Sequence, residues 1–282
     1  MMSAPMSRGM NLIEPLRDLM SWTTCFQAAE IPVLRDTSDS LEAFRAHEEH
    51  TDANSIGEMI SSDPLMTLKV LAYESGHRGR NVVTPAETVT SALVMMGISP
   101  FFRAFGPQPA VEDWLDDRPD ALAGLRSVIE RAHRGADLAL VFAIHRTDPH
   151  AAVIHASALL HEFAEMLLWC HAPELALRVQ AAQTADPTLR SSAAQLDILR
   201  VDLVELQRAL TNAWRLPALI ADVAAPILAI GNTSARIVDL ATRLARHTAH
   251  GWGNAAIPDD IDEIAIMLNL SAAATVALAQ GV

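Results

Sequence analysis

The chain contains 282 residues, of which 50% are apolar and 20% are charged, a composition typical of a folded protein with one large core or two lobes. Its formal net charge of -13 excludes the basic surface that nucleic acids and anionic lipids attract, so we expect neither as a partner. Two separated cysteines, Cys25 and Cys170, and an N-terminus without a continuous apolar core predict a cytoplasmic protein with no disulfide framework and no signal peptide.

The first third of the chain has the apolar spacing of short, paired helices. Over residues 56–72 the pattern predicts two helices, and the second begins at Asp63 and Pro64, a typical N-cap followed by proline. Thr84 and Glu87 predict a capping box for a further helix. Paired helices also occur in DNA-binding proteins, but the acidic charge and the scarcity of basic residues favour a packing role here.

Residues 106–124, GPQPAVEDWLDDRPDALAG, are rich in proline, aspartate and glycine and predict a linker at about residues 107–119. Longer amphipathic helices are predicted at about 122–144, 151–170, 203–213 and 234–247. Strand patterns are almost absent, and no stretch approaches about 20 clean apolar residues, so we expect no membrane span. The sequence predicts an all-α protein with a flexible N-terminus over 1–11 and two helical lobes, at about 12–106 and 120–282.

Several segments resemble, in this order, the HDOD domain, a signalling family related to the HD-type metal phosphohydrolases. Its N-terminal lobe is similar to IPVL at 31–34, ISSDPLMTLKVLAYES at 60–75 and TVTSALVMMGISPFFRAFG at 88–106, although Glu74 stands where the family has asparagine. The family's Gly-Leu-Leu-His-Asp-Ile-Gly segment is similar to ALLHEFAEMLL at 158–168. A later helix that ends in Trp-x-Leu-Pro is similar to RVDLVELQRALTNAWRLPALIADVA at 200–224. The resemblance implies an all-α, two-lobed fold of the HD superfamily and a role in bacterial signal transduction.

The resemblance also implies which residues correspond to the metal site of the hydrolases. There, a first histidine, a His-Asp pair and a later aspartate bind a divalent ion that activates water. His133 matches the first histidine and His161 matches the histidine of the pair. Glu162 replaces the aspartate of the pair, and the neutral Thr242 replaces the final aspartate. Apolar residues, among them APIL at 225–228, stand where the family has further histidines.

These replacements predict a degenerate site that binds no metal. The extra methylene of Glu162 displaces its carboxylate, and the hydroxyl of Thr242 supplies no charge. Asp239 lies one helical turn before Thr242 and offers a carboxylate in its place. The alternative is therefore a metal-dependent HD-type phosphohydrolase that uses His133, His161, Glu162 and Asp239. The residues predicted to line the cleft are His133, His161, Glu162, Gln207, Asp239 and Thr242.

Other polar patterns add no ligands to this site. His145, His150 and His155 recur every five residues, which distributes them around a helix, and we interpret them as surface or loop residues. HEFAE at 161–165 matches the His-Glu-x-x-His pattern of zinc proteases only in part, because Glu165 replaces the second histidine.

The sequence thus predicts a non-catalytic signalling or regulatory module that needs no cofactor. We expect it to act in trans, through an unknown signalling protein or through a small ligand in the former catalytic cleft. No nucleotide-binding loop and no nucleophile elbow is present in the sequence.

Overall fold

The computed structural model describes residues 10–77, 86–186, 188–223 and 232–282. Within these ranges the chain forms α-helices joined by turns and loops, with no strand, so the all-α prediction is confirmed. The contacts divide the chain into two compact units, each built from two separate segments. The flexible N-terminus predicted for residues 1–11 falls almost entirely outside the described residues.

The first unit combines residues 1–127 with residues 163–215, and the second combines 128–162 with 216–282. The linker predicted at about 107–119 lies within the first unit, so it does not coincide with the boundary between the units. In chain order, the helices are α1 (Leu19–Ala28), α2 (Arg35–Ala46), α3 (Ala53–Ile60), α4 (Pro64–His77), α5 (Val89–Met96), α6 (Ile98–Ala104), α7 (Val111–Trp114), α8 (Pro119–His145), α9 (Ala151–Leu159), α10 (Phe163–His171), α11 (Pro173–Ala185), α12 (Ser191–Leu199), α13 (Leu203–Trp214), α14 (Ala218–Val223), α15 (Thr233–His247), α16 (Ile257–Leu268) and α17 (Ala272–Gln280). Helix α8 contributes its first residues to the first unit and the remainder to the second.

Asp63 fixes the start of α4 in the first unit. One of its carboxylate oxygens accepts the N–H groups of Leu65 and Met66 at 2.8 and 3.1 Å, as expected for the predicted N-cap. The other oxygen accepts the N–H of Leu34, just before α2, at 2.8 Å. Burial raises the pKa of this carboxyl above its ordinary value, although the N–H groups oppose the rise. A single buried carboxylate therefore joins two helix starts.

Helix α5 begins with a capping box one turn later than the predicted one. The hydroxyl of Thr88 accepts the N–H of Ser91 at 3.2 Å, and the hydroxyl of Ser91 accepts the N–H of Thr88 at 3.1 Å. Thr84, which would pair with Glu87 in the predicted capping box, lies outside the described residues. Gly97 ends the helix with a φ of 82°, a conformation that favours glycine.

The predicted linker is anchored within the first unit. The N–H of Val33 donates to the carbonyl of Pro109 at 2.9 Å, and the carbonyl of Val33 accepts the N–H of Val111 at 2.8 Å. Leu115 is buried. Backbone pairing and apolar burial together hold this proline-rich segment in place.

His171, the last residue of α10, lies in the core of the first unit. Its ring contacts those of Phe26 and Trp114, with centroid distances of 5.7 and 5.5 Å. Both ring nitrogens are buried, and neither forms a hydrogen bond of ordinary geometry with the described residues. Burial lowers the pKa of His171 to about 4, and the backbone of Glu30 opposes this only in part. The imidazole is therefore neutral at pH 7.

Ion pairs join α15 to α16 in the second unit. Arg243 donates to Asp260 at 2.7 Å and to Glu263 at 2.8 Å. The Nδ1 atom of His247 lies 2.5 Å from the other oxygen of Asp260. Because Asp260 is buried, these partners offset the loss of its hydration.

Judged by length and composition alone, two parts of the described chain are long enough and apolar enough to cross a membrane. The first is the run Ala151–His171, which contains α9 and α10, and most of it is buried inside the protein. The second consists of α16 and α17, which are bent by 100° at the break between them. Burial within the fold accounts for the apolar composition of the first run, as in the core helices of soluble proteins.

Replacing Asp63 with alanine should lower the free energy of unfolding by about 2–4 kcal/mol, because the substitution removes an N-cap and leaves largely buried N–H groups without an acceptor. Asp52 is the matched control, since it caps α3 through Asn54 and Ser55 with similar bonds but in an exposed position. Asp52→Ala should have a smaller effect, because water can replace the exposed carboxylate. Urea unfolding of both variants tests this, and equal losses would contradict the role given to burial.

The free energy of unfolding should decrease as the pH falls from about 6.5 to about 4. In the unfolded chain His171 takes up a proton near pH 6.5, whereas in the folded protein its pKa is about 4, so the unfolded state binds more protons in this window. This difference corresponds to about 3 kcal/mol. The measurement is urea unfolding at several pH values for the wild type and for His171→Leu. The variant should have a shallower slope over this window, and an unchanged slope would refute the assignment.

Candidate functional site

Five of the six predicted cleft residues belong to the second unit, on α8, on α15 and in the turn between α9 and α10: His133, His161, Glu162, Asp239 and Thr242. Gln207 belongs to the first unit. There its side-chain oxygen accepts the N–H of Ala164 at 3.1 Å, in the first turn of α10. The first N–H groups of a helix have no partner within it, so this contact gives Gln207 a role in capping α10.

The sequence predicts one helix over about 151–170, whereas the structure has two helices separated by a turn at residues 160–162. The N–H of His161 donates to the carbonyl of Ala158 at 3.1 Å, three residues back rather than four. The apolar pattern does not reveal the turn, because the residues on both sides of it are buried. His161 and Glu162 therefore lie at a helix break and not in the middle of a helix.

The carboxylate of Glu162 lies between two arginines from different helices. One oxygen accepts a hydrogen bond from Nε of Arg131, on α8, at 2.6 Å. The other oxygen lies 3.6 Å from Nε of Arg246, on α15. The side chains of Arg131 and Glu162 are only 18% and 17% exposed, whereas that of Arg246 is 51% exposed. Glu162 thus forms a short, sheltered ion pair with Arg131 and a longer, more exposed one with Arg246.

These charges set the protonation states in the site. Burial opposes the ionisation of Glu162, but the charges around it, above all that of Arg131, outweigh burial and lower the pKa of its carboxyl. Burial also lowers the pKa of His161; Glu162 opposes this shift, and the charge of Arg246 adds to it. At neutral pH the site therefore contains an ionised carboxylate beside a neutral imidazole.

Thr242 is a packing residue where α8 meets α15. Its hydroxyl donates to the carbonyls of Val238 and Asp239, at 2.9 and 3.2 Å, within its own helix. A Cβ atom at Gly135 of α8 would lie 3.2 Å from the Thr242 methyl carbon, so the absence of a side chain at Gly135 permits this close approach. The hydroxyl of Thr242, which is predicted to replace the family's final aspartate, is bonded to its own backbone.

His133 and Asp239 remain the other candidate donors. The Nε2 atom of His133 is buried and forms no hydrogen bond with the described residues. Asp239 is exposed on α15, and its charge raises the pKa of His161, which burial lowers. Asp239 is therefore close enough to His161 for its charge to affect the pKa of that histidine.

These donors do not fit the metal site of an HD hydrolase. Arg131 and Arg246 engage the carboxylate of Glu162, and the hydroxyl of Thr242 is bonded to its own helix. Within the described ranges, no three His, Cys, Asp or Glu side chains come close enough together to hold an ion. The APIL segment at 225–228 lies outside the described residues. A divalent ion needs several donors that converge at short, fixed distances.

Arg131, Arg246 and His155 also lie close to the candidate residues, although the sequence does not predict this. His155, interpreted as a surface or loop residue, is half-buried on α9. Burial lowers its pKa, the charge of Asp137 raises it, and His133 lowers it, so these groups are neighbours. Arg131 lies on α8 with His133, and Arg246 lies on α15 with Asp239. The only sequence signal for the two arginines is this position on the same helices as the candidate ligands.

Comparison with known proteins supports the fold. The model of the HDOD domain family matches residues 31–227. In structure, the chain is similar to the MmoQ response regulator from Methylococcus capsulatus, with a TM-score of 0.66 and 18% identity over 89% of this chain and 98% of that one. It is also similar to a virulence factor from Campylobacter jejuni, with a TM-score of 0.60 and 15% identity over 89% of each chain. None of the curated proteins matches it in sequence.

Replacing Glu162 with glutamine should lower the free energy of unfolding by about 2–4 kcal/mol, because it removes the carboxylate to which the sheltered Arg131 is bonded. Asp239→Asn, at an exposed carboxylate in the same unit, should change it by less than about 0.5 kcal/mol. Because the folded-state pKa of Glu162 is lowered, its contribution is present above the ordinary carboxyl pKa and is lost as the pH falls below it. Urea unfolding at pH 7 and pH 4 should therefore show a smaller difference between wild type and Glu162→Gln at pH 4, and a pH-independent difference would contradict the ion pair.

Proposed function

The chain belongs to the HDOD domain family, and we propose that it acts as a non-catalytic signalling or regulatory module in a bacterial cytoplasm. It works through protein contacts or through a small ligand at the degenerate HD site. The fold supports this proposal, since one of the solved structures it resembles is that of a protein named as a response regulator.

One observation carries the non-catalytic part of the proposal. The carboxylate of Glu162, which replaces the aspartate of the His-Asp pair, is bonded to Arg131 at 2.6 Å. A carboxylate oxygen that accepts a charge-assisted hydrogen bond of this length is poorly available to a metal ion, and Arg246 adds further positive charge beside it. Positive charge at this position repels the divalent ion that HD hydrolases use to activate water.

Protein prepared without chelators should contain no stoichiometric divalent metal and should hydrolyse no phosphodiester. Elemental analysis measures the metal content. Turnover is measured with cyclic dinucleotides and with a generic aryl phosphodiester, in the presence of added manganese. Metal-free water keeps its high pKa, so no adequate nucleophile forms at neutral pH.

The opposite outcome identifies the alternative function, a metal-dependent HD-type phosphohydrolase using His133, His161, Glu162 and Asp239. The result that supports this alternative is about one metal ion per chain together with phosphodiester turnover that disappears in His161→Ala. Asp137→Asn is the matched control, since Asp137 is exposed on α8 and is not among the proposed ligands. Activity that persists in His161→Ala would indicate a contaminating enzyme.

A further inference from the structure

We propose that the sulfur atoms of Met10, Cys25 and Cys170 form a binding site for a soft monovalent metal ion, Cu(I). All three residues belong to the first unit, whereas five of the six predicted cleft residues belong to the second. The site therefore goes beyond the proposed function. It contains both cysteines of the chain.

The three sulfur-bearing residues come from separate segments of the chain. Cys25 lies on α1, Cys170 lies on α10, and Met10 precedes α1. The Sγ atom of Cys25 lies 3.9 Å from the Sδ atom of Met10. Met10 and Cys170 both line a cavity of about 100 Å³. Met10 therefore contacts one thiol directly and shares a cavity with the residue that carries the other.

Contacts of the neighbouring residues hold these segments together. The ring of Phe26, next to Cys25, contacts that of His171, next to Cys170, with a centroid distance of 5.7 Å. The N–H of Leu12 donates to the carbonyl of His171 at 2.8 Å. The start of the described chain, α1 and the end of α10 are thus joined by a ring contact and a backbone hydrogen bond.

The spacing of the first two sulfur atoms suits a shared ion. In a trigonal site with metal–sulfur bonds of about 2.3 Å, neighbouring sulfur atoms lie about 4 Å apart. The distance of 3.9 Å between Cys25 and Met10 agrees with this value. One ion can therefore bond to both sulfur atoms without a large movement of either segment.

The donor types select the class of metal. Thiolate and thioether sulfur are soft ligands that favour Cu(I), whereas magnesium, calcium and manganese favour oxygen. The net charge of -13 attracts cations in general. A site with two cysteines and a methionine adds selectivity for a soft cation to this general attraction.

Two charged side chains also line the cavity, Asp117 and Arg118. Arg118 donates to the side-chain oxygen of Asn11 at 2.6 Å and lies 3.8 Å from the carboxylate of Asp117. The positive charge of Arg118, which disfavours a cation, therefore has an opposite charge beside it.

Binding exchanges protons for the ion. Burial raises the pKa of both thiols, and the charges of Asp63 and Glu112 add to the rise at Cys170. Negative charge that opposes the loss of a proton favours a metal cation in its place. Each thiol that bonds to the ion releases its proton to the solvent, and the thioether donates a lone pair. No electron is transferred, so the copper remains Cu(I), and its affinity should rise with pH.

A purely structural role also accounts for sulfur atoms in contact, since methionine and free cysteine pack as apolar side chains. The two roles differ in what they require of Met10, which is 39% exposed. Leucine at this position keeps an apolar side chain of similar size but removes the sulfur. A structural role predicts no effect of this change on copper, whereas a metal site requires a loss of affinity.

The experiment is an anaerobic titration of the reduced full chain with Cu(I), in competition with a chromogenic chelator specific for Cu(I). The wild type should bind one ion per chain. Met10→Leu, Cys25→Ser and Cys170→Ser should each weaken binding at least about tenfold, because each removes a direct ligand. Met20→Leu is the matched control, since Met20 lies on α1 and is 77% exposed. It should bind Cu(I) as the wild type does.

Zn(II) serves as the reference ion, because a thioether is a poor ligand for it. Met10→Leu should therefore change the affinity for Zn(II) much less than the affinity for Cu(I). Circular dichroism shows whether each cysteine variant is folded. If a cysteine variant proves unfolded, the comparison of Met10→Leu with Met20→Leu decides the matter alone.

Two results would overturn the inference: no transfer of Cu(I) from the chelator to the wild type, or equal affinities of Met10→Leu and Met20→Leu for Cu(I). Neither result affects the proposed function, which falls only if a divalent metal and phosphodiester turnover are found. Binding of one ion per chain, weakened by Met10→Leu and unchanged by Met20→Leu, establishes the site.

Discussion

A carboxylate that is buried must be compensated by positive charges or by N–H groups, and each unit of this protein contains one that organises the helices around it. In the first unit, Asp63 accepts N–H groups from the residue before α2 and from the first turn of α4. In the second unit, Glu162 brings together arginines from α8 and α15. The helices take these positions partly because an uncompensated carboxylate would be far less stable there.

The compensation at Glu162 has a direct consequence for chemistry. A carboxylate that accepts short hydrogen bonds from arginines is poorly able to complete the coordination shell of a divalent ion, because arginine and metal both need its oxygens at short range. Thr242 strengthens this effect, since its hydroxyl donates to the backbone and its methyl group packs against Gly135. Within the described residues, the oxygens of Glu162 and the hydroxyl of Thr242 are thus engaged in internal contacts.

The sequence located several elements because local rules govern them. The start of α4 at Asp63 and Pro64 follows from N-cap geometry, and the long helices α8, α13 and α15 follow from apolar periodicity. The break between α9 and α10 did not follow, because both helices are buried and the apolar pattern continues across the turn. Nor does any local pattern predict that the side-chain oxygen of Gln207 accepts the N–H of Ala164, 43 positions away in the chain.

The sequence by itself determined that the chain is helical, where several of its helices begin, and which family its motifs resemble. Those properties depend on residues within a few turns of one another. The tertiary structure decided which partners the polar residues have: Glu162 lies 31 positions from Arg131 in the chain and still farther from Arg246. It also decided that each unit is built from two distant segments. Such pairings depend on packing between remote parts of the chain, and no local pattern in one sequence encodes them.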